Sequence, residues 1–178
     1  LSHTLPVEGR RHRIKVTAMI TGGMRAGTRP KGRGVARALA RWGWQLLLTG
    51  TAPDRDVAVE VARRVGGGLR SLVGRLDRDE LAAWLAHQPV LIANNTGPVQ
   101  VAAAVGAPVV DLSARTNPQH TPWGVASRVL FHDVPCAHCY RSVCPEGHHA
   151  CLRGVAPAAV VEAAEALRAE VAARRSSA

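Results

Sequence analysis

Residues 89–112 read PVLIANNTGPVQVAAAVGAPVVDL. The stretch opens on an apolar run, Pro89–Ala93, of the length and character of a strand buried on both faces. Asn94-Asn95-Thr96-Gly97-Pro98 is a turn, and Pro98 suits the first position of a helix, where the missing N–H costs nothing. Val99–Val105 continues that helix and Gly106 ends it. Pro108–Leu112 is a second apolar strand. Strand, tight turn, helix and strand in succession make one parallel crossover unit, and that unit decides the fold class.

The same alternation runs outward in both directions. Upstream, Leu46–Thr49 is a short apolar strand closed by Gly50. RDVAVEVARRV follows it, with Val57, Val61 and Val65 at helical spacing and Gly66–Gly68 as the stop. Leu69–Val73 is a weak strand. Asp77-Arg-Asp-Glu80 has the spacing of a capping box, in which an Asp accepts from a free helix N–H and a Glu reaches back. The helix LAAWLAH follows. Downstream, Ser113–Ser127 reads as a long polar loop, Arg128–His132 as a last strand, and Pro157–Arg175 as a closing amphipathic helix. Nearer the start, Ile14–Ile20 is a candidate strand, Gly22–Gly34 a loop rich in Gly and Arg, and Val35–Trp42 a short helical piece. The expectation is an α/β domain, a Rossmann-like parallel sheet with helices on both faces. Ligands of such sheets sit past the carboxyl ends of the strands.

Composition excludes several classes. The chain has 178 residues, of which 47% are apolar, too many for a disordered polymer. No apolar run approaches the length of a membrane span. Four Cys do not make a disulfide scaffold. The formal net charge is +10, a value that suggests a nucleic-acid or membrane-surface partner until it is read by position. Residues 1–41 hold ten Lys/Arg against Glu8, while residues 42–178 hold thirteen against twelve acids. Nearly all the charge therefore lies in a basic head, 1–41, ahead of a nearly neutral body, 42–178. Aromatics are only 3% and are not interleaved with the basic residues, which argues against a platform for stacking single-stranded bases.

Four places carry candidate chemistry. In Asn95-Thr96-Gly97-Pro98, the first-turn N–H groups of the helix point outward and its dipole favours an anion. Gly97 admits close approach and Thr96 adds a hydroxyl donor, an arrangement suited to a diphosphate. The competing reading is an ordinary helix capped by Asn95 or Thr96. Thr49-Gly50-Thr51-Ala52-Pro53-Asp54 holds the equivalent place after an earlier strand. There Asp54 either accepts from ribose hydroxyls or caps its own helix. Cys136-x2-Cys139-x4-Cys144-x6-Cys151, with His138, His148 and His149 between, has one pair spaced as in a structural zinc site and a second pair spaced more widely. The expectation there is reduced thiols, or one disulfide in an oxidising compartment, and no bound metal. Lys31, in the Gly-rich part of the head, is a candidate phosphate contact.

NNTGPVQVAAAVGAPVVDL resembles the D-T-G-P-x-H-x-A-A-A-x-G-x-P-x-V segment of glycosyltransferase family 9, the heptosyltransferases of bacterial envelopes. LLLTGTAPDRDVAVEVA, LVGRLDRDELAAWLAHQPVLIANNTG and CAHCYRSVCPEGHHACLRGVAPAAVVEA are similar to further blocks of that family, in the same order. The resemblance covers about residues 43–170. It implies the C-terminal, donor-binding half of a GT-B enzyme, with the N-terminal acceptor domain absent and this chain inactive alone. It implies a nucleoside-diphosphate sugar donor, ADP-heptose in the named members, and a glycan or glycolipid acceptor. Transfer in the family is inverting and needs neither metal nor cofactor, and its general base belongs to the N-terminal domain. Thr96, Gly97 and Pro98 would hold the diphosphate, Asp54 would meet the ribose, and Thr49, Gly50, Asn95, Gln100 and Lys31 would complete the donor site. Such an enzyme works in the cytoplasm, at most peripheral to the inner membrane face. This chain departs from the motif at two positions, with Asn95 in place of its Asp and Gln100 in place of its His. The alternatives are a basic nucleic-acid-binding module with a Cys/His metal loop, which predicts a steep salt dependence, and a non-functional remnant.

Overall fold

The computed structural model describes residues 15–19, 29–66, 69–115, 117, 119–141 and 143–177. The crossover unit is present as β4 (Leu91–Asn94), α4 (Gly97–Ala104) and β5 (Val109–Leu112). Before it come β1 (Lys15–Met19), α1 (Arg29–Arg41), β2 (Gln45–Thr49), α2 (Arg55–Val65), β3 (Leu69–Ser71) and α3 (Arg78–Leu85). After it come β6 (Ser127–Leu130), α5 (Ala150–Arg153) and α6 (Pro157–Ser176). All strand pairs are parallel, in the order β3-β2-β1-β4-β5-β6. The chain moves outward from β1 to β3, then returns to β4 on the other side of β1. The point where it reverses lies between β1 and β4, and doubly wound sheets bind their ligands at that crevice.

Strand side chains alternate faces, so one apolar strand serves two cores. Leu91, Ala93 and Val109 pack with Leu85, Val99 and Ala102 under α3 and α4. Ile92 and Val110 face the other way. They join Leu46, Leu48 and the buried faces of α1, α2 and α6, including Leu39, Val61, Ala164 and Leu167. Each large side chain so buried contributes about 1.5–3 kcal/mol. The expected sheet with helices on both faces is thus present.

Local signals hold at several ends. Asp77 accepts from the Glu80 N–H at 2.8 Å, and Glu80 accepts from the Asp77 N–H at 2.9 Å, closing the capping box that starts α3. The head departs from expectation. Its Gly/Arg stretch is helical from Arg29, and Pro30 sits in the first turn, where a missing N–H is harmless. Gly34 then allows a close approach: a Cβ there would lie 3.1 Å from the Pro157 ring that opens α6. The division in charge at residue 41 is no division in the fold, since β1 pairs with both β2 and β4.

Candidate functional site

The helix α4 begins at the switch point. Its N-cap is Thr96, yet no side chain caps the helix. The Thr96 hydroxyl donates instead to the Asn94 carbonyl at 3.1 Å. It is therefore not the free donor expected of it, and neither Thr96 nor Asn95 acts as a side-chain cap. The side chain of Asn95 turns away from the helix. Its Nδ2 donates to Asp111 Oδ2 at 2.6 Å and to the backbone carbonyl of His120. Gly97 is exposed, and a Cβ built on it meets no atom within 4 Å. The Gly97 N–H is thus left unengaged beneath open space at the positive end of the helix, while Pro98 has no N–H and the Val99 N–H donates to the Thr96 carbonyl at 3.0 Å. Pro98 lies in the same first turn, half-buried, and Gln100 is exposed.

A cavity of about 480 Å³ opens beside this turn. Asn94, Asn95 and Thr96 form one wall, Ser113, Asn117 and His120 a second, and the Cys/His segment a third. Its size suits a small ligand. Four non-glycine residues among those described have left-handed backbone: Arg115 (φ 48°), His138 (φ 60°), Tyr140 (φ 53°) and His149 (φ 49°). Tyr140 and His149 line the cavity, and the His138 N–H donates to the Arg115 carbonyl at 2.9 Å. The Arg115 guanidinium lies 4.2 Å from the centre of the Phe131 ring. Such conformations cost about 1–3 kcal/mol each and gather where a loop is held for a purpose.

The four cysteines are free thiols around this cavity. Cys136 Sγ lies 3.8 Å from His148 Nε2. Among the described residues no group of three or more His, Cys, Asp or Glu is placed to hold a metal ion. Burial pushes the Cys151 thiol up, and the neighbouring Cys144 and Cys136 push it the same way. It is therefore a protonated, weakly nucleophilic group at neutral pH.

The remaining expected residues lie elsewhere. Asp54 is buried, and its Oδ2 accepts from the Thr51 N–H at 2.9 Å and from the Thr51 hydroxyl at 2.7 Å. It shapes the loop after β2 and does not line the cavity. Thr49 ends β2 with its hydroxyl buried and without a hydrogen-bond partner in the described structure, and the Gly50 carbonyl accepts from the Gly74 N–H at 2.9 Å. Lys31 is in the first turn of α1, the helix that follows β1 across the switch point. Sequence reasoning passed over Asp111, Asn117 and His120. For Asp111 the signal was present, as an acid inside the apolar strand PVVDL. Asp111 is fully buried, and its Oδ1 has no partner in the described structure.

Comparisons with known proteins agree with the fold. The family model for glycosyltransferase family 9 (heptosyltransferase) matches residues 31–150. A lipooligosaccharide heptosyltransferase 2 of Haemophilus influenzae is 30% identical over 92 residues, which is 49% of this chain and 27% of that protein. A lipopolysaccharide heptosyltransferase 2 of Escherichia coli is 27% identical over 143 residues, 75% of this chain and 40% of that one. The solved structure of the E. coli ADP-heptose heptosyltransferase II superposes with a TM-score of 0.72 at 23% identity, over 89% of this chain and 47% of that one, a likeness of fold. The chain therefore spans less than half the length of each of these relatives. It belongs to glycosyltransferase family 9, the heptosyltransferases.

Proposed function

We propose that this chain is the donor-binding half of a heptosyltransferase-like enzyme of bacterial envelope glycan synthesis. The observation that carries the reading is the uncapped N-terminus of α4, set at the switch point with open space above Gly97. There the Gly97 N–H and the positive end of the helix receive the diphosphate of a nucleoside-diphosphate sugar, for which the ADP-heptose named for the E. coli relative is the model. Lys31, across the switch point, neutralises part of the phosphate charge. Asp54 acts through the Thr49–Thr51 loop that it holds, beside the nucleoside. Gln100 reaches the donor from the exposed face of the same helix turn.

Transfer is direct displacement at the anomeric carbon. An acceptor hydroxyl attacks, the configuration inverts, and the nucleoside diphosphate departs without a metal. The positive end of α4 stabilises the charge that grows on the leaving group. The acceptor is a glycan or glycolipid, and the general base comes from a domain outside this chain. The chain alone thus binds nucleotide without turnover, in a protein that works on the cytoplasmic side of the inner membrane.

Calorimetry with ADP tests the reading. The folded chain is expected to bind ADP. Gly97→Val, which fills the open space with two methyl groups, is expected to weaken binding at least about tenfold while leaving the Tm within roughly 2 °C. Equal ADP affinity in the variant, or no affinity in the folded wild type, rejects it.

A further inference from the structure

Asp111 is fully buried, next to the cavity-lining Leu112, on a strand whose other members are apolar. In the sheet it stands between Ala93 on β4 and Val129 on β6, neither of which can pair with it. Its single described partner is the Asn95 amide, at 2.6 Å. The amide presents its nitrogen to Asp111. The same nitrogen's second hydrogen goes to the His120 carbonyl. Asn95 thereby ties the end of β4 to the loop carrying Asn117 and His120, and the Asn117 amide lies 3.3 Å from the His120 ring. Two walls of the cavity, the end of β4 and the loop of His120, meet at this one side chain.

We infer that Asp111 is a positioning residue of the donor site, holding the Asn95 amide and, through it, the loop of Asn117 and His120 in the shape that receives the diphosphate. The inference rests on reading the α4 N-terminus as the diphosphate site. Asp111 does not itself line the cavity, so it acts through Asn95. This explains why an amide serves at position 95. An acid there would set two carboxyl groups within hydrogen-bond distance and would lose the bonds that Asn95 donates to Asp111 and to the His120 carbonyl. Burial also pushes Asp111 up to about 7, which limits the negative charge it presents to an incoming diphosphate.

The test combines ADP calorimetry with amide hydrogen exchange of the nucleotide-free chain. Asp111→Ala and Asn95→Ala are each expected to weaken ADP binding about tenfold, and the double variant no further, because both remove the same link. Asp111→Asn keeps an acceptor oxygen and is expected to stay within about threefold of wild type. Exchange across the Ser113 to Gly124 loop is expected to quicken at least about tenfold in both alanine variants, with β4 and β5 unchanged. Additive effects, or unchanged loop exchange, overturn the inference. Should wild type bind no ADP, the reading of α4 fails, while loop exchange still decides the role of Asp111. A wild-type measurement guards against misfolded variants. The Asn95 side-chain amide resonances are expected to move with the Asp111 titration between pH 5 and 8.5, and static resonances reject the link.

Discussion

Between pH 5 and pH 8 the wild-type chain is expected to lose about 3 kcal/mol of folding stability that Asp111→Asn retains. The cause is the burial of Asp111, whose carboxyl rises from 3.8 to about 7 on folding despite the opposing hydrogen bond from Asn95. Below pH 3.8 both folded and unfolded chains hold the proton. Between the two values only the folded chain holds it, so stability falls as pH rises, and the loss is complete above about 7. The gap amounts to about 4 kcal/mol in full, at 1.36 kcal/mol per pH unit, of which about 3 lies above pH 5. Asparagine has no proton to release, so its contribution is flat. Urea unfolding of both chains at pH 5, 6, 7 and 8 measures the difference, and titrations shared by the two cancel in it. Curves that stay parallel across this range rule out a buried, titrating Asp111.

Trp44→Ala is expected to cost about 3–5 kcal/mol, lowering the Tm by roughly 10 °C. Trp44 is buried in the larger core, between the end of α1 and the start of β2. Its indole N–H donates to Glu165 on α6, and the Arg168 guanidinium lies 5.9 Å from its ring centre. Glu165 in turn pairs with Arg168 at 2.8 Å. Truncation therefore opens a cavity and removes the anchor by which α6 is oriented. Trp44→Phe keeps most of the apolar volume but not the donor, and is expected to fall between the two. Urea midpoints for the three chains decide the matter, and a loss below about 1 kcal/mol for the alanine variant contradicts it.

Sequence pattern carried the order of the elements well. The helix 55–65 and the capping box at Asp77 stand as the spacing predicts, because periodicity and capping are local properties. The start of α1 was not legible. Gly and Arg around Lys31 have loop character, and the helix there rests on contact with α2 and α6. At the site, position was easier to read than role. The turn at Asn95–Pro98 is where the motif put it, but Asp54 and Thr96 spend their side chains on their own loops. The partner of Asn95 is an acid sixteen residues away, brought near by strand pairing that no local spacing encodes.

The place of β1 has a consequence for how this domain comes apart. Strands β2 and β3 form one flank and β4 to β6 the other, and hydrogen bonds join the flanks through β1 alone among the described strands. A chain trimmed to residues 42–178 keeps most of the segment that matches the family, yet it has an open seam down the middle, with two raw edges facing each other. Such a fragment would gape or self-associate through those edges. A peptide of residues 1–41 supplied separately would bring β1, the strand that closes it, much as a missing stave closes a barrel.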